Sequence, residues 1–308
     1  MRSPLHGFAE VRKDGLEDTD VRMVSPLVLV SGADQRYYRC LWQFVRSLKR
    51  HGLDRRHRII LYDLGLAAKQ RSRLERETQK ASGFEWRCFP FDRYPGHLRP
   101  EAGTYAWKPV LIADLFEELK QDVFWMDSAT LLLGSLDAVA DAVHNQGQYV
   151  PISGSGSLGD RLHPDTVAYL RITDDERRVR NRAGGICGFR YGHEGVQRLV
   201  REWRALALIE ACIAPPGANA SNHHYDQALL TLLLNRYEQK EGLRLTDDEI
   251  DISSTQPVSF LSVRNKVSNT VPLPLDGVFR LGFWIRRSVD IACLRIKRFV
   301  TQPGNGVR

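Results

Sequence analysis

The 308-residue chain predicts an α/β domain built on a mainly parallel sheet, and three observations carry that expectation. Short apolar runs, PLVLV (26–30), RIILY (58–62), FEWRCF (84–89) and VFWM (123–126), alternate with stretches of helical period. Strands interleaved with helices in this way pair in parallel and are covered by helices on both faces. Three of the runs finish in small or acidic residues, SGAD (31–34), DLG (63–65) and DSA (127–129), and ligands of open parallel sheets bind beyond such strand ends. No linker rich in Pro, Gly and Ser interrupts residues 21–270. One core is therefore expected there, after a polar leader over 1–20 and before a basic amphipathic extension over 271–308.

The elements follow in order. Between the first two strands, Tyr37, Tyr38, Leu41, Trp42, Val45 and Leu48 recur at helical spacing with Arg39, Arg46 and Lys49 between them, and Gly52 stops the helix. A second helix is expected over 67–81. A third runs from Trp107 to Leu119 on a stripe of Leu111, Ile112, Leu115, Phe116 and Leu119, with Pro109 in the first turn, where a missing N–H is tolerated. A short helix near 135–144, a strand QYVPIS (148–153), a polar loop and a strand AGGICGFR (183–190) come next. Two helices close the pattern: 193–211, with Val196, Leu199, Val200, Trp203, Leu206 and Ala207 on one face, and 224–237, opened by HHYDQ.

With 43% hydrophobic and 26% charged residues the chain reads as globular rather than disordered. A net charge of +7 favours anionic partners such as phosphates or an acidic membrane surface; no recognised nucleic-acid module accompanies it, so nucleic acid is not expected. Five scattered cysteines without CxxC spacing suggest neither a disulfide framework nor a zinc site, which fits a reducing compartment. The absence of a signal-like or membrane-spanning apolar run gives the expectation of a cytoplasmic protein.

Asp127 raises the main chemical question, because it closes the apolar VFWM run and an ionised carboxylate near a core needs a partner. It either serves a ligand, caps the following segment or pairs with a base. Lys108, at the start of the third helix after Tyr105 and Trp107, can offer its ammonium to phosphates while the aromatics pack on a base or sugar, or it is an exposed lysine over two core rings. Asp63 either accepts hydrogen bonds from a nucleotide or starts the DLGL turn. Ser31 and Gly32 offer backbone N–H groups and close approach, or plain turn chemistry. Gly184 and Gly185 admit a sugar or a second strand, or form a bulge. Arg264 and Lys266, in SVRNKVSN, either close over a diphosphate or belong to a solvated loop.

The ordered series LVLVSGAD, RIILYDLGL, TYAWKPVLI, VFWMDSA, AGGICGFR and HHYDQALL resembles GT-A type glycosyltransferases over about residues 24–236. The resemblance implies a Rossmann-like GT-A fold, a nucleotide-sugar donor, a glycan or other hydroxyl acceptor and hexosyl transfer, with a lipid-linked glycan suggested separately by the basic amphipathic segment 279–300. It matches Asp127 to the first Asp of the DXD motif, which holds a divalent cation, Mn or Mg, against the donor's phosphates; Ala129 stands at the second acid. It places Asp226 and Gln227 near sugar and acceptor, with Asp226 as general base or orienting group, the alternative being service to the helix N-terminus. Ala129 also leaves open a non-catalytic binding or scaffold protein of this fold, and it argues against a nucleotidyltransferase, which needs two acids at its metal.

Two further features bear on function. GSGSLG (154–159) fits a dinucleotide-binding spacing, but Pro164 lies where the following helix should continue, so a mobile loop beside the cleft is expected. Over 279–300, Phe283, Trp284, Ile285, Val289, Ile296 and Phe299 interleave with Arg280, Arg286, Arg287, Arg295, Lys297 and Arg298. Such a helix either lies on an anionic membrane, making the protein peripheral at the inner face, or docks on the domain with its basic face in water.

Overall fold

The computed structural model describes residues 26–250, apart from 80, 82 and 133, together with 260–262. The leader 1–20, the basic pair Arg264 and Lys266, and the extension 271–308 with its 279–300 segment lie outside the described residues. The elements are β1 (Val28–Ala33), α1 (Tyr38–Arg50), β2 (Arg58–Asp63), α2 (Ala68–Thr78), β3 (Phe84–Cys88), α3 (Trp107–Leu119), β4 (Val123–Met126), β5 (Thr130–Leu132) and α4 (Asp137–Gln146). They continue with β6 (Gln148–Tyr149), β7 (Ile152–Ser157), α5 (Pro164–Leu170), α6 (Asp174–Arg178), β8 (Arg180–Arg182), β9 (Ile186–Phe189), α7 (Glu194–Ala207), α8 (Glu210–Ile213), α9 (Tyr225–Glu241), β10 (Glu249–Ile250) and β11 (Phe260–Ser262).

The main sheet has the order β3-β2-β1-β4-β9-β6. Its first four strands are parallel, and β9 turns antiparallel against β4. Strand alternation sends neighbouring side chains to opposite faces. Val28, Val30, Ile60, Tyr62, Val123 and Trp125 pack with α3, α7 and α9, whereas Leu29, Ile59, Leu61, Phe124 and Met126 pack with α1 and α4. Burial on both faces explains why β1, β2 and β4 read as unbroken apolar runs. A smaller sheet, β10-β7-β8, stands beside it.

Local chemistry accounts for the departures from expectation. QYVPIS divides at Pro151, which has no N–H to continue a ladder: β6 stays in the main sheet and β7 enters the small one. The predicted 193–211 helix breaks into α7 and α8 at Ile209, whose backbone is extended. The Gly/Ser segment expected as a loop is strand β7, held by pairing with β8 and β10 and by the Asn181 amide, which donates to the Ser157 carbonyl at 2.7 Å. It then makes a short 3-10 turn over Leu158–Arg161 rather than a phosphate-cradling helix. Pro164 opens α5 at its first position.

Candidate functional site

Strands β1 and β4 end side by side, and beyond their carboxyl ends lies a cleft of about 420 Å³. Gly32, Ala33 and Asp34 from the end of β1, Asp127–Thr130 after β4, Gly184 and Gly185 before β9, and Tyr225–Gln227 at the start of α9 all line it. Ser153 and Ser155 of β7 contribute to the wall from the small sheet. A cleft at the junction of parallel strand ends with helix N-termini is where an anionic ligand is best received.

At its base sits Lys108, 3% exposed. Its ammonium lies 3.1 Å from Asp127 Oδ1 and 3.0 Å from Asp226 Oδ2, and it donates to the Gly184 carbonyl at 3.1 Å. Asp127 Oδ1 also accepts from Trp125 Nε1 at 2.8 Å. The two carboxylates differ in surroundings: the Asp127 side chain is 40% exposed and the Asp226 side chain 6%. Burial pushes Asp226 up to about 6 against the pull of Lys108. For Lys108 burial acts downward, but attraction from Asp127 and Asp226 prevails and holds it protonated above the usual lysine range. Nearby, burial raises the Cys187 thiol and keeps it protonated.

The backbone around this pair is specialised. Tyr105 (φ 54°), two residues before α3, and Tyr225 (φ 44°), the first residue of α9, adopt left-handed conformations at the starts of the helices that carry Lys108 and Asp226. A bulky residue held there stores about 1–3 kcal/mol, a cost that concentrates at functional sites. Gly184 and Gly185 act as spacers. A Cβ on Gly184 would meet Gln227 Cβ at 2.9 Å and Asp226 Oδ2 at 3.3 Å; one on Gly185 would meet Asp127 Oδ2 at 2.9 Å. Only bare backbone lets both acids approach the same ammonium.

The cleft thus gathers Gly32, Tyr105, Trp107, Lys108, Asp127, Gly184, Gly185, Asp226 and Gln227. Lys108 does not face outward as a phosphate ligand, because its ammonium is consumed by internal acceptors. Tyr105 is half-exposed and the ammonium lies 5.6 Å from its ring centre. Trp107 is buried edge-on against Trp125. The Gln227 amide donates to Ser155 Oγ at 3.2 Å and ties α9 to the small sheet.

Two expected residues stand elsewhere. Ser31 is fully buried and does not line the cleft, since alternation along β1 turns its side chain inward. Asp63 serves its turn: its carboxylate accepts from the N–H groups of Gly65 (2.9 Å) and Leu66 (2.7 Å) and pairs with Arg71 at 3.4 Å. It faces a neighbouring hollow shared with Cys88, Arg99 and Glu101.

Sequence reasoning missed the guanidinium groups of the cleft. Arg36 is held by Asp34 at 2.6 Å and by the Pro100 carbonyl at 2.9 Å, and Arg161 lies 3.2 Å from His224 Nε2. Burial, then Arg161, lowers the His224 pKa and keeps that imidazole neutral. Arg36 was detectable as a base two residues beyond a strand-end acid; Arg161 follows a segment that reads as a loop. His223 is structural: it accepts from the His163 N–H at 3.2 Å, and its other nitrogen meets the Ile213 carbonyl at 3.0 Å.

A divalent cation fits poorly here. Ala129 supplies no oxygen, Asp127 Oδ1 is already shared by an indole N–H and an ammonium, and among the described residues no three His, Cys, Asp or Glu side chains converge on one point. Mn or Mg takes oxygen ligands, and at Asp127 it would have to displace the ammonium that already holds Oδ1. Among the described residues no disulfide forms and no helix is long and apolar enough to cross a membrane.

Residues 15–113, less than half of the chain, match the model of a family described as protein of unknown function, DUF1647. No curated protein matches the chain. Among solved structures the chain is similar to the apo structure of the bifunctional glycosyltransferase WbbM, at 15% identity and a TM-score of 0.43, covering 69% of this chain and 39% of that one. It is similar to an active-site mutant of LgtC at 14% identity and a TM-score of 0.47, with 82% and 99% covered. It also resembles mouse xyloside xylosyltransferase 1, apo form, at 9% identity and a TM-score of 0.47, with 74% and 87% covered. The chain spans less than half of WbbM. Likeness at this level concerns the path of the chain and assigns no chemistry.

Proposed function

We propose that the chain is a GT-A type glycosyltransferase that moves a sugar from a nucleotide-sugar to a hydroxyl of a glycan or lipid-linked glycan. The observation that carries this reading is the convergence of Asp127 and Asp226, far apart in sequence, on one buried lysine in a cleft beyond the ends of β1 and β4. The convergence relies on the bare backbone of Gly184 and Gly185 and is flanked by two tyrosines in left-handed conformations, and strain of this kind clusters at functional sites.

In this reading the nucleotide lies along Gly32, whose backbone is bare, and Tyr105 offers its ring face to the base or sugar. Asp127, the solvent-facing acid, hydrogen-bonds the sugar. The acceptor oxygen bonds to the anomeric carbon as the bond to the phosphate oxygen breaks, its electron pair leaving with the diphosphate. Asp226 takes the acceptor's proton; a base with a pKa raised to about 6 is ionised at neutral pH yet basic enough to act. Lys108 orients both acids, and Arg36 and Arg161 face the departing diphosphate charge.

Ala129 favours a second reading, a donor-binding protein without turnover. Incubating the protein with a panel of UDP- and GDP-sugars and measuring nucleoside diphosphate release separates the two. Release lost in D127N and D226N supports the transferase; binding without release supports the binding protein; neither binding nor release defeats both.

A further inference from the structure

A cation in such a cleft would balance carboxylates and phosphates together, and here a side chain has already taken the first task. We propose that the cleft receives its anionic ligand without a divalent cation, because the Lys108 ammonium stands between Asp127 and Asp226 as their fixed counterion and excludes a metal ion from that position. The donor reading enters only in identifying the anion as a nucleoside diphosphate.

The ammonium lies 3.0 Å from an Asp226 oxygen and 3.1 Å from an Asp127 oxygen, donates to the Gly184 carbonyl at 3.1 Å, and sits in the floor of the cleft. Because it is 3% exposed, it has no solvent to swing into. A metal ion on Asp127 would have to share Oδ1 with that ammonium and with Trp125 Nε1. The other carboxylate oxygen, Oδ2, borders Gly185 and is by itself a single monodentate ligand for a cation. At Ala129 the chain offers a methyl group where a second oxygen would complete a chelate. Phosphate charge is left to Arg36 and Arg161, whose planar guanidinium groups line the same cleft and bond phosphate oxygens in pairs.

The test uses the full chain and two probes. Mn²⁺ titration followed by electron paramagnetic resonance is expected to show no wild-type site tighter than about 1 mM, and K108A, checked for folding by circular dichroism, is expected to gain one that K108A/D127N lacks. UDP and GDP affinities are expected to agree within about twofold in EDTA and in Mn²⁺, and R161A is expected to weaken them about tenfold in both. A wild-type Mn²⁺ site of about 0.1 mM or tighter that D127N abolishes overturns the proposal. A folded K108A that binds no Mn²⁺ does so too, as does a diphosphate affinity that falls more than about tenfold in EDTA. If neither nucleotide binds in either buffer the donor reading fails, and the Mn²⁺ titrations alone decide whether the lysine excludes metal.

Discussion

Replacing Lys108 by methionine isolates the electrostatics on which the cleft depends. Methionine keeps most of the buried stem and removes the charge, so two carboxylates lose the counterion that lies about 3 Å from each. Breaking a buried ion pair by deleting one partner costs about 3–5 kcal/mol. Asp226, 6% exposed, carries most of that loss; Asp127 is 40% exposed and water screens it. K108M is therefore expected to lose about 3–5 kcal/mol at pH 8. The loss should shrink at low pH. Burial already raises the folded pKa of Asp226 above its unfolded value, to about 6, with the lysine present, and without it the pKa rises further. A raised acid binds its proton more tightly in the folded state, so its contribution is favourable at low pH and is lost as pH climbs from about 4 through the folded pKa. At pH 5 Asp226 in K108M is mostly protonated, and each pKa unit of difference restores about 1.4 kcal/mol. Urea unfolding of wild type and K108M at pH 5 and pH 8, followed by tryptophan fluorescence, measures both losses. Equal losses at the two pH values, or a loss under about 1 kcal/mol at pH 8, would refute the reasoning.

Other substitutions separate charge, spacing and turn chemistry. D127N removes a half-exposed acid, so stability should change by less than about 1 kcal/mol while turnover falls about 100-fold; calorimetry and a release assay read the two. G185A places a Cβ 2.9 Å from Asp127 Oδ2, and the displaced carboxylate should lower turnover about 100-fold with an unchanged circular dichroism spectrum. In wild type the unfolding free energy should decline as pH rises from about 4 to about 6, the window of Asp226, and D226N should lack that decline in urea titrations. D63N weakens the acceptor for two turn N–H groups and the pair with Arg71. It should lower stability by about 1 kcal/mol and leave nucleoside diphosphate release unchanged.

The main sheet was legible because β1, β2 and β4 are buried on both faces, and double burial writes itself as an unbroken apolar run. Helix α3 was equally plain, since Trp107–Leu119 carries both its stripe and a proline tolerated only in the first turn. The acid at the end of β4 marked the cleft for the same reason it posed a problem: a carboxylate at the edge of a core has to be answered. The answer itself was hidden. Lys108 reads as an ordinary first-turn lysine, and its acceptors belong to segments that only the folded sheet brings near. Asp63 looked like Asp127 in sequence, yet the turn N–H groups two and three residues ahead claim its carboxylate. Strand β7 was illegible because glycine and serine have little preference for a strand; partners on both sides hold it in place.

A crystal structure of the protein grown with an unreactive nucleotide-sugar analogue tests the central claim most directly. The diphosphate should lie between Gly32 and the guanidinium groups of Arg36 and Arg161, with the sugar in hydrogen-bond reach of Asp127. An analogue bound in the hollow beside Asp63 and Cys88, or a cleft left empty at millimolar ligand, would contradict it.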